Sequence, residues 1–155
     1  MSHLNNAAGA AARGPVLSAH DAARLELMSM EAPGDLRSQI VAKLTNAQLT
    51  SGNDIDDDIA TIGSVLIYQI GDGPRQRRTL SLPDVSHPNG QFINLLTPVG
   101  LALLGARAGD EMTAPLLDGG TLQITLHEVE FQPEAEVRRR STLRPDDDGD
   151  GPSAA

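Results

Sequence analysis

The chain has no cysteine and no tryptophan. The first absence excludes disulfides, thiolate zinc sites and a cysteine nucleophile. Aromatic residues are scarce: Tyr68, Phe92 and Phe131 are all there are. A surface that stacks nucleic-acid bases needs more. No apolar run approaches the roughly 20 residues that span a bilayer, so no membrane segment is expected. The opening "MSHLNNAAGAAARG" lacks the apolar stretch of a secretory signal. With the missing cysteines, this fits a cytoplasmic location. Basic charge is also in short supply, 12 Lys and Arg against 21 Asp and Glu, for a formal net charge of −9. Such a chain is repelled by phosphates, so no direct nucleic-acid binding is expected of it alone. A basic patch on another protein matches it better.

What is present is enough for a folded domain, since 155 residues can bury a core without staples. Residues 1–16 are rich in Ala, Gly and Asn and are expected to be disordered, as is the charged tail 136–155, "EVRRRSTLRPDDDGDGPSAA". Between them the pattern is helical first. Ser18 with Asp21 three positions on forms a capping box, and Ala22, Leu25 and Met28 recur at helical spacing. Pro33-Gly34 stops this helix. Asp35 is placed to cap a second, with Leu36, Ile40, Leu44 and Ala47 on one face. The short connection predicts an antiparallel hairpin over 17–52, with arms of about 13 residues, roughly 20 Å at 1.5 Å per residue.

After an acidic linker, 53–60, the signal changes to strands: 61–70, 78–82, 91–96, 111–116 and 121–131, with turns at Gly71–Pro74 and Asp118-Gly119-Gly120. In the last strand Leu122, Ile124 and Leu126 alternate, and Val129 and Phe131 then alternate in the opposite parity. This predicts a bulge near His127-Glu128. The fold class is α+β.

Between the third and fourth strands lies "TPVGLALLGARAGDE", Thr97 to Glu111. Thr97 caps a helix whose first position suits Pro98. Val99 and Leu101 to Leu104 make the helix apolar on most sides, hence buried. Gly100 permits close backbone approach, and Gly105 is placed to end the helix in the left-handed conformation. A phosphate cradle is excluded, because its glycines would precede the helix and a lysine would follow.

This stretch resembles the signature of the C-terminal domain of Gre transcript-cleavage factors. Together with "HEVEFQPEA", His127 to Ala135, and the short hairpin, it is most similar to the Rnk type, regulators of nucleoside diphosphate kinase. The similarity covers about residues 17–135. It implies an FKBP-like antiparallel sheet wrapped on one short helix over 61–135, and binding to core RNA polymerase near its secondary channel. A Gre Asp-Ser-Pro turn that contributes to this contact corresponds here to Leu96, Thr97 and Pro98, with the acid replaced by leucine. Gre factors also carry acids at the tip of a long coiled coil, where they help hold magnesium in the polymerase. Here the tip offers Glu31 and Asp35 on arms too short for that reach. A polymerase-binding, non-enzymatic regulator without transcript cleavage is therefore expected. A cleavage-stimulating Gre-type factor and a binding module for another protein are the alternatives.

Other candidate sites carry less. Asp54, Asp56, Asp57 and Asp58 crowd the linker, as a solvated segment or as an electrostatic contact for a partner. Ile59 and Val65 stand where a calcium loop requires Gly and Glu. Asp146, Asp148, Asp150 and Gly151 open such a loop, but the chain ends before its twelfth ligand. His20, His87 and His127 have no metal spacing, and the three aromatics cannot line a prolyl-isomerase pocket. No cofactor and no resident metal are expected.

Overall fold

The structure is a computed structural model that describes residues 14–83, 90–116 and 118–141. The chain enters through strand β1 (Val16–Ser18), runs through helices α1 (Ala19–Glu31) and α2 (Gly34–Asn46), and returns through β2 (Gln48–Thr50). Five strands and one helix follow: β3 (Val65–Ile70), β4 (Arg75–Ser81), β5 (Phe92–Asn94), α3 (Pro98–Leu103), β6 (Glu111–Pro115) and β7 (Thr121–Phe131). A last helix, α4, covers 133–141. The class is α+β. The main sheet runs β5-β4-β3-β7-β6. Its pairings are antiparallel except β4 with β5.

Each arm of the helical pair has 13 residues. Ser18 caps α1, its Oγ accepting from the Asp21 N–H at 3.0 Å. Only half of the expected capping box forms, because the Asp21 carboxylate turns away from the helix. Asp35 does not cap α2. Pro33 holds that position, with no side-chain cap bond, and Asp35 falls in the first turn. The fixed φ of proline starts the helix two residues early, and the Pro33 carbonyl accepts from the Arg37 N–H at 2.7 Å. At the base, β1 and β2 pair in parallel, Val16 opposite Gln48. The strand pair closes the hairpin and has no counterpart in the sequence pattern.

The core of the sheet is Leu66 and Tyr68 of β3, Leu80 of β4, Leu95, Leu101, Leu103, Leu104, and Ile124 and Leu126 of β7. Strand β3 begins at Val65 rather than Thr61. Residues 61–64 form a turn instead, with the Ser64 N–H on the Thr61 carbonyl at 2.9 Å. The bulge in β7 is present: Ile67 faces Glu128 and Tyr68 faces Leu126, leaving His127 unpaired with β3, and a second shift skips Glu130. His127 Nε2 instead meets Gln69 Oε1 at 2.8 Å.

The acidic linker is packed rather than loose, since Ile55 and Ile59 are fully buried. The expected tail beginning at 136 is corrected by α4. Gln132 caps this helix, accepting from the Ala135 N–H at 3.1 Å. Its buried amide Nε2 donates to the Asp56 and Ile59 carbonyls at 2.7 and 2.8 Å. The charge blocks that resemble disorder are partly helical pairs, Glu136 with Arg139 and Arg140. Residues 1–13, 84–89, 117 and 142–155 lie outside the described residues. That places the calcium-like run Asp146–Gly151 and His87 outside them too.

Candidate functional site

The site is built around α3, whose two ends do different work. At its start the Thr97 Oγ accepts from the Gly100 N–H at 3.1 Å and donates to the Asn94 carbonyl at 2.8 Å. The Asn94 side chain accepts from the Leu96 N–H at 2.8 Å. A Cβ on Gly100 would lie 2.1 Å from the Asn94 carbonyl oxygen. That is inside any permissible contact, so the position admits only glycine. These bonds fix Leu96, Thr97 and Pro98 as one half-buried edge beside exposed Asn94.

At its end, α3 meets the base of the hairpin. Gly105 has φ +86, and a Cβ there would stand 2.7 Å from Pro15 Cβ and 3.1 Å from the Val16 carbonyl. The Val16 N–H donates to the Gly105 carbonyl at 3.0 Å. Lys43 of α2 arrives at the same place. Its Nζ donates to the Leu104 carbonyl at 2.5 Å and lies 3.4 Å from that of Ala102. An ammonium on the last carbonyls of a helix complements both the unpaired acceptors and the dipole. Among the described residues no carboxylate forms an ion pair with it, and burial pushes its pKa down to about 8. On the other arm, Asp21 is 2% exposed, and its Oδ2 accepts from the Ile62 N–H at 3.1 Å. Burial holds this carboxyl above the usual range, against the Ile62 bond, which pulls it down; Glu134 adds to the rise.

The other candidate acids are dispersed. Glu31 and Asp35 are both exposed at the tip. Between their helices Arg37 donates to the Ser29 and Met30 carbonyls at 2.9 and 3.0 Å, so the end of α1 is capped by a cation. In the linker, Asp56 and Asp58 both engage Arg107 Nη1, at 3.0 and 2.8 Å. Asp54 accepts from Ser51 at 3.0 Å, and Asp57 is exposed. Among the described residues no group of three His, Cys, Asp or Glu is arranged to hold a metal ion. The three sets are not brought together: among the described residues no side-chain hydrogen bond or ion pair joins the edge, the tip and the linker.

Sequence pattern assigns no role to Lys43 or Arg37 and gives Asp21 only a place in the capping box. Asp21 and Lys43 did carry a further signal. Asp21 falls four before Leu25 and seven before Met28, and Lys43 falls three after Ile40 and seven after Leu36. Each is a charge on an apolar stripe, and a buried charge must find a partner.

Residues 55–131 match the family described as Transcription elongation factor, GreA/GreB, C-term. Over 120 residues the chain is 32% identical to the regulator of nucleoside diphosphate kinase of Escherichia coli (strain K12), covering 74% of this chain and 88% of that protein. The chain belongs to the GreA/GreB family. The transcription elongation factor GreA of Solidesulfovibrio magneticus is 41% identical over 63 residues, 36% of this chain and 38% of its own. Among solved structures, the GreA/GreB elongation factor from Nitrosomonas europaea superposes with a TM-score of 0.61 at 31% identity, covering 76% of this chain and 98% of that one. The GreA/GreB match contains the linker, the sheet and α3 but not the hairpin. The end of α3, inside that match, is where the base of the hairpin packs. Among the described residues no helix is long and apolar enough to cross a membrane.

Proposed function

We propose that this chain is a non-enzymatic bacterial transcription regulator that binds core RNA polymerase near the secondary channel and does not stimulate transcript cleavage. It would act in the cytoplasm, docking through the Leu96–Pro98 edge of an FKBP-like domain with the hairpin alongside. Membership of the GreA/GreB family supports the partner. The observation that carries the absence of cleavage is the hairpin. Its arms of 13 residues reach only about 20 Å, and near its tip Arg37 is lodged on the last α1 carbonyls, those of Ser29 and Met30. A guanidinium beside a would-be magnesium site opposes the metal electrostatically, and magnesium demands well-placed hard oxygen ligands.

The edge is uncharged where the Gre turn has an acid, so docking would rest on shape and apolar contact there. The linker acids supply the electrostatic component. Replacing Asp54, Asp56, Asp57 and Asp58 with Asn is expected to weaken polymerase binding mainly at low salt. Unchanged affinity at low salt removes the linker from the interface. The partner itself is tested by pull-down with core polymerase in competition with a Gre factor. Capture that the Gre factor displaces supports a shared site; no capture leaves a binding module for another protein.

A further inference from the structure

The helical hairpin is joined to the sheet domain by one chain connection, the linker after β2, with β1 held beside it through the Val16 N–H on the Gly105 carbonyl at 3.0 Å. Apolar packing at such a base is non-directional and would let the arms swivel. Two charged side chains, one per helix, oppose that. From α1, Asp21 accepts the Ile62 N–H at 3.1 Å. The Ile62 turn is stapled to β4 by Gly63 N–H to Leu80 carbonyl at 2.7 Å and Leu80 N–H to Ser64 carbonyl at 2.9 Å. From α2, Lys43 donates to the Leu104 carbonyl at 2.5 Å, and neighbouring Gly105 donates to the Ala60 carbonyl at 2.8 Å. Both receiving groups are thus parts of the sheet domain's own hydrogen-bonded frame. A charged partner makes the stronger and more directional class of hydrogen bond, and if the hairpin turned, Asp21 would lose its partner in a buried setting and Lys43 in a half-buried one.

We infer that Asp21 and Lys43 are positioning residues that lock the hairpin's orientation, so that hairpin, α3 and the Leu96–Pro98 edge move as one body. Two anchors on opposite arms remove the swivel that one anchor leaves as a pivot. Because Lys43 lands on the last carbonyls of α3, a helix of six residues, the link from arm to edge is short and stiff. The inference does not rest on polymerase being the partner, and its test uses the isolated protein.

The absence of cysteine allows clean spin labelling. One pair, Ser38→Cys with Thr113→Cys, spans hairpin and sheet; a control pair, Asp72→Cys with Thr113→Cys, lies within the sheet domain. All three positions are exposed. Pulsed electron paramagnetic resonance should give a single narrow distance distribution for the spanning pair. Asp21→Asn and Lys43→Arg keep an acceptor and a donor, so they should preserve it. The double variant Asp21→Ala/Lys43→Met should broaden it at least twofold or add a second peak, with the control pair unchanged. An unchanged spanning distribution with an intact control overturns the inference. If the double variant loses the control distance, Lys43→Met alone decides: broadening supports the lock, and an unchanged width overturns it.

Discussion

The base and the tip of the hairpin carry charge in opposite ways. At the base, Asp21 is 2% exposed and half-buried Lys43 reaches the carbonyls at the end of α3, so both charges are turned toward the sheet domain. At the tip, Glu31 and Asp35 stand in water, and Met30 beside them is 67% exposed. The engaged charge there is Arg37, turned back onto its own hairpin. A tip that delivered a metal would concentrate ordered acids and keep cations away. This hairpin does the reverse, and its ordered chemistry lies where it joins the sheet.

That contrast can be broken most severely at Gly105. Replacing it with Ala adds a left-handed penalty of about 1–2 kcal/mol to overpacking against β1 of about 1–3 kcal/mol. Loss of this size is expected in the midpoint of urea unfolding. A neutral result would mean that β1 does not sit against the end of α3. Next is Asp21→Ala, which strands the buried Ile62 N–H and should destabilise by about 1–3 kcal/mol. Asp21→Asn should lose much less, since an acceptor remains.

The pH dependence of stability separates the two base charges. Lys43 has a folded pKa lowered to about 8 from 10.5, so between those values the unfolded chain binds more protons. Stability from this group therefore rises with pH from about 8 to 10.5, and Lys43→Met should flatten that rise. Asp21 is raised above its ordinary 3.8. Its contribution is present below that value and declines as pH climbs through the folded pKa, a decline that Asp21→Asn removes. Urea midpoints measured across the pH range read both. The smallest effect is expected at the tip: Glu31→Gln and Asp35→Asn should each change stability by less than about 0.5 kcal/mol, and leave polymerase capture unchanged.

Much of α3 was legible in the sequence because cap, proline and glycines act locally. Thr97, Pro98, Gly100 and Gly105 each serve the backbone role their chemistry fits. The β7 bulge was legible because a parity change between Leu126 and Val129 has few other solutions. Strands β1 and β2 were not, since three residues each carry no period. The second cap was misplaced because Asp is a better cap than Pro in general, while Pro33 settled the backbone first. Helix α4 was missed because its glutamate and arginines pattern like a solvated tail until their spacing of three and four is counted. The base charges fall between these cases. Their positions on apolar stripes were visible, but their partners, Ile62 and Leu104, lie 41 and 61 residues away, beyond any local pattern.

A role in binding polymerase without cleavage is tested most directly by what the chain does to a backtracked transcription complex. Added to such complexes with a Gre factor, it should slow Gre-stimulated transcript shortening by competing for polymerase, and alone it should produce none. Shortening by this chain alone that disappears in Glu31→Gln/Asp35→Asn would contradict it, and would make the tip, not the base, the working end of the hairpin.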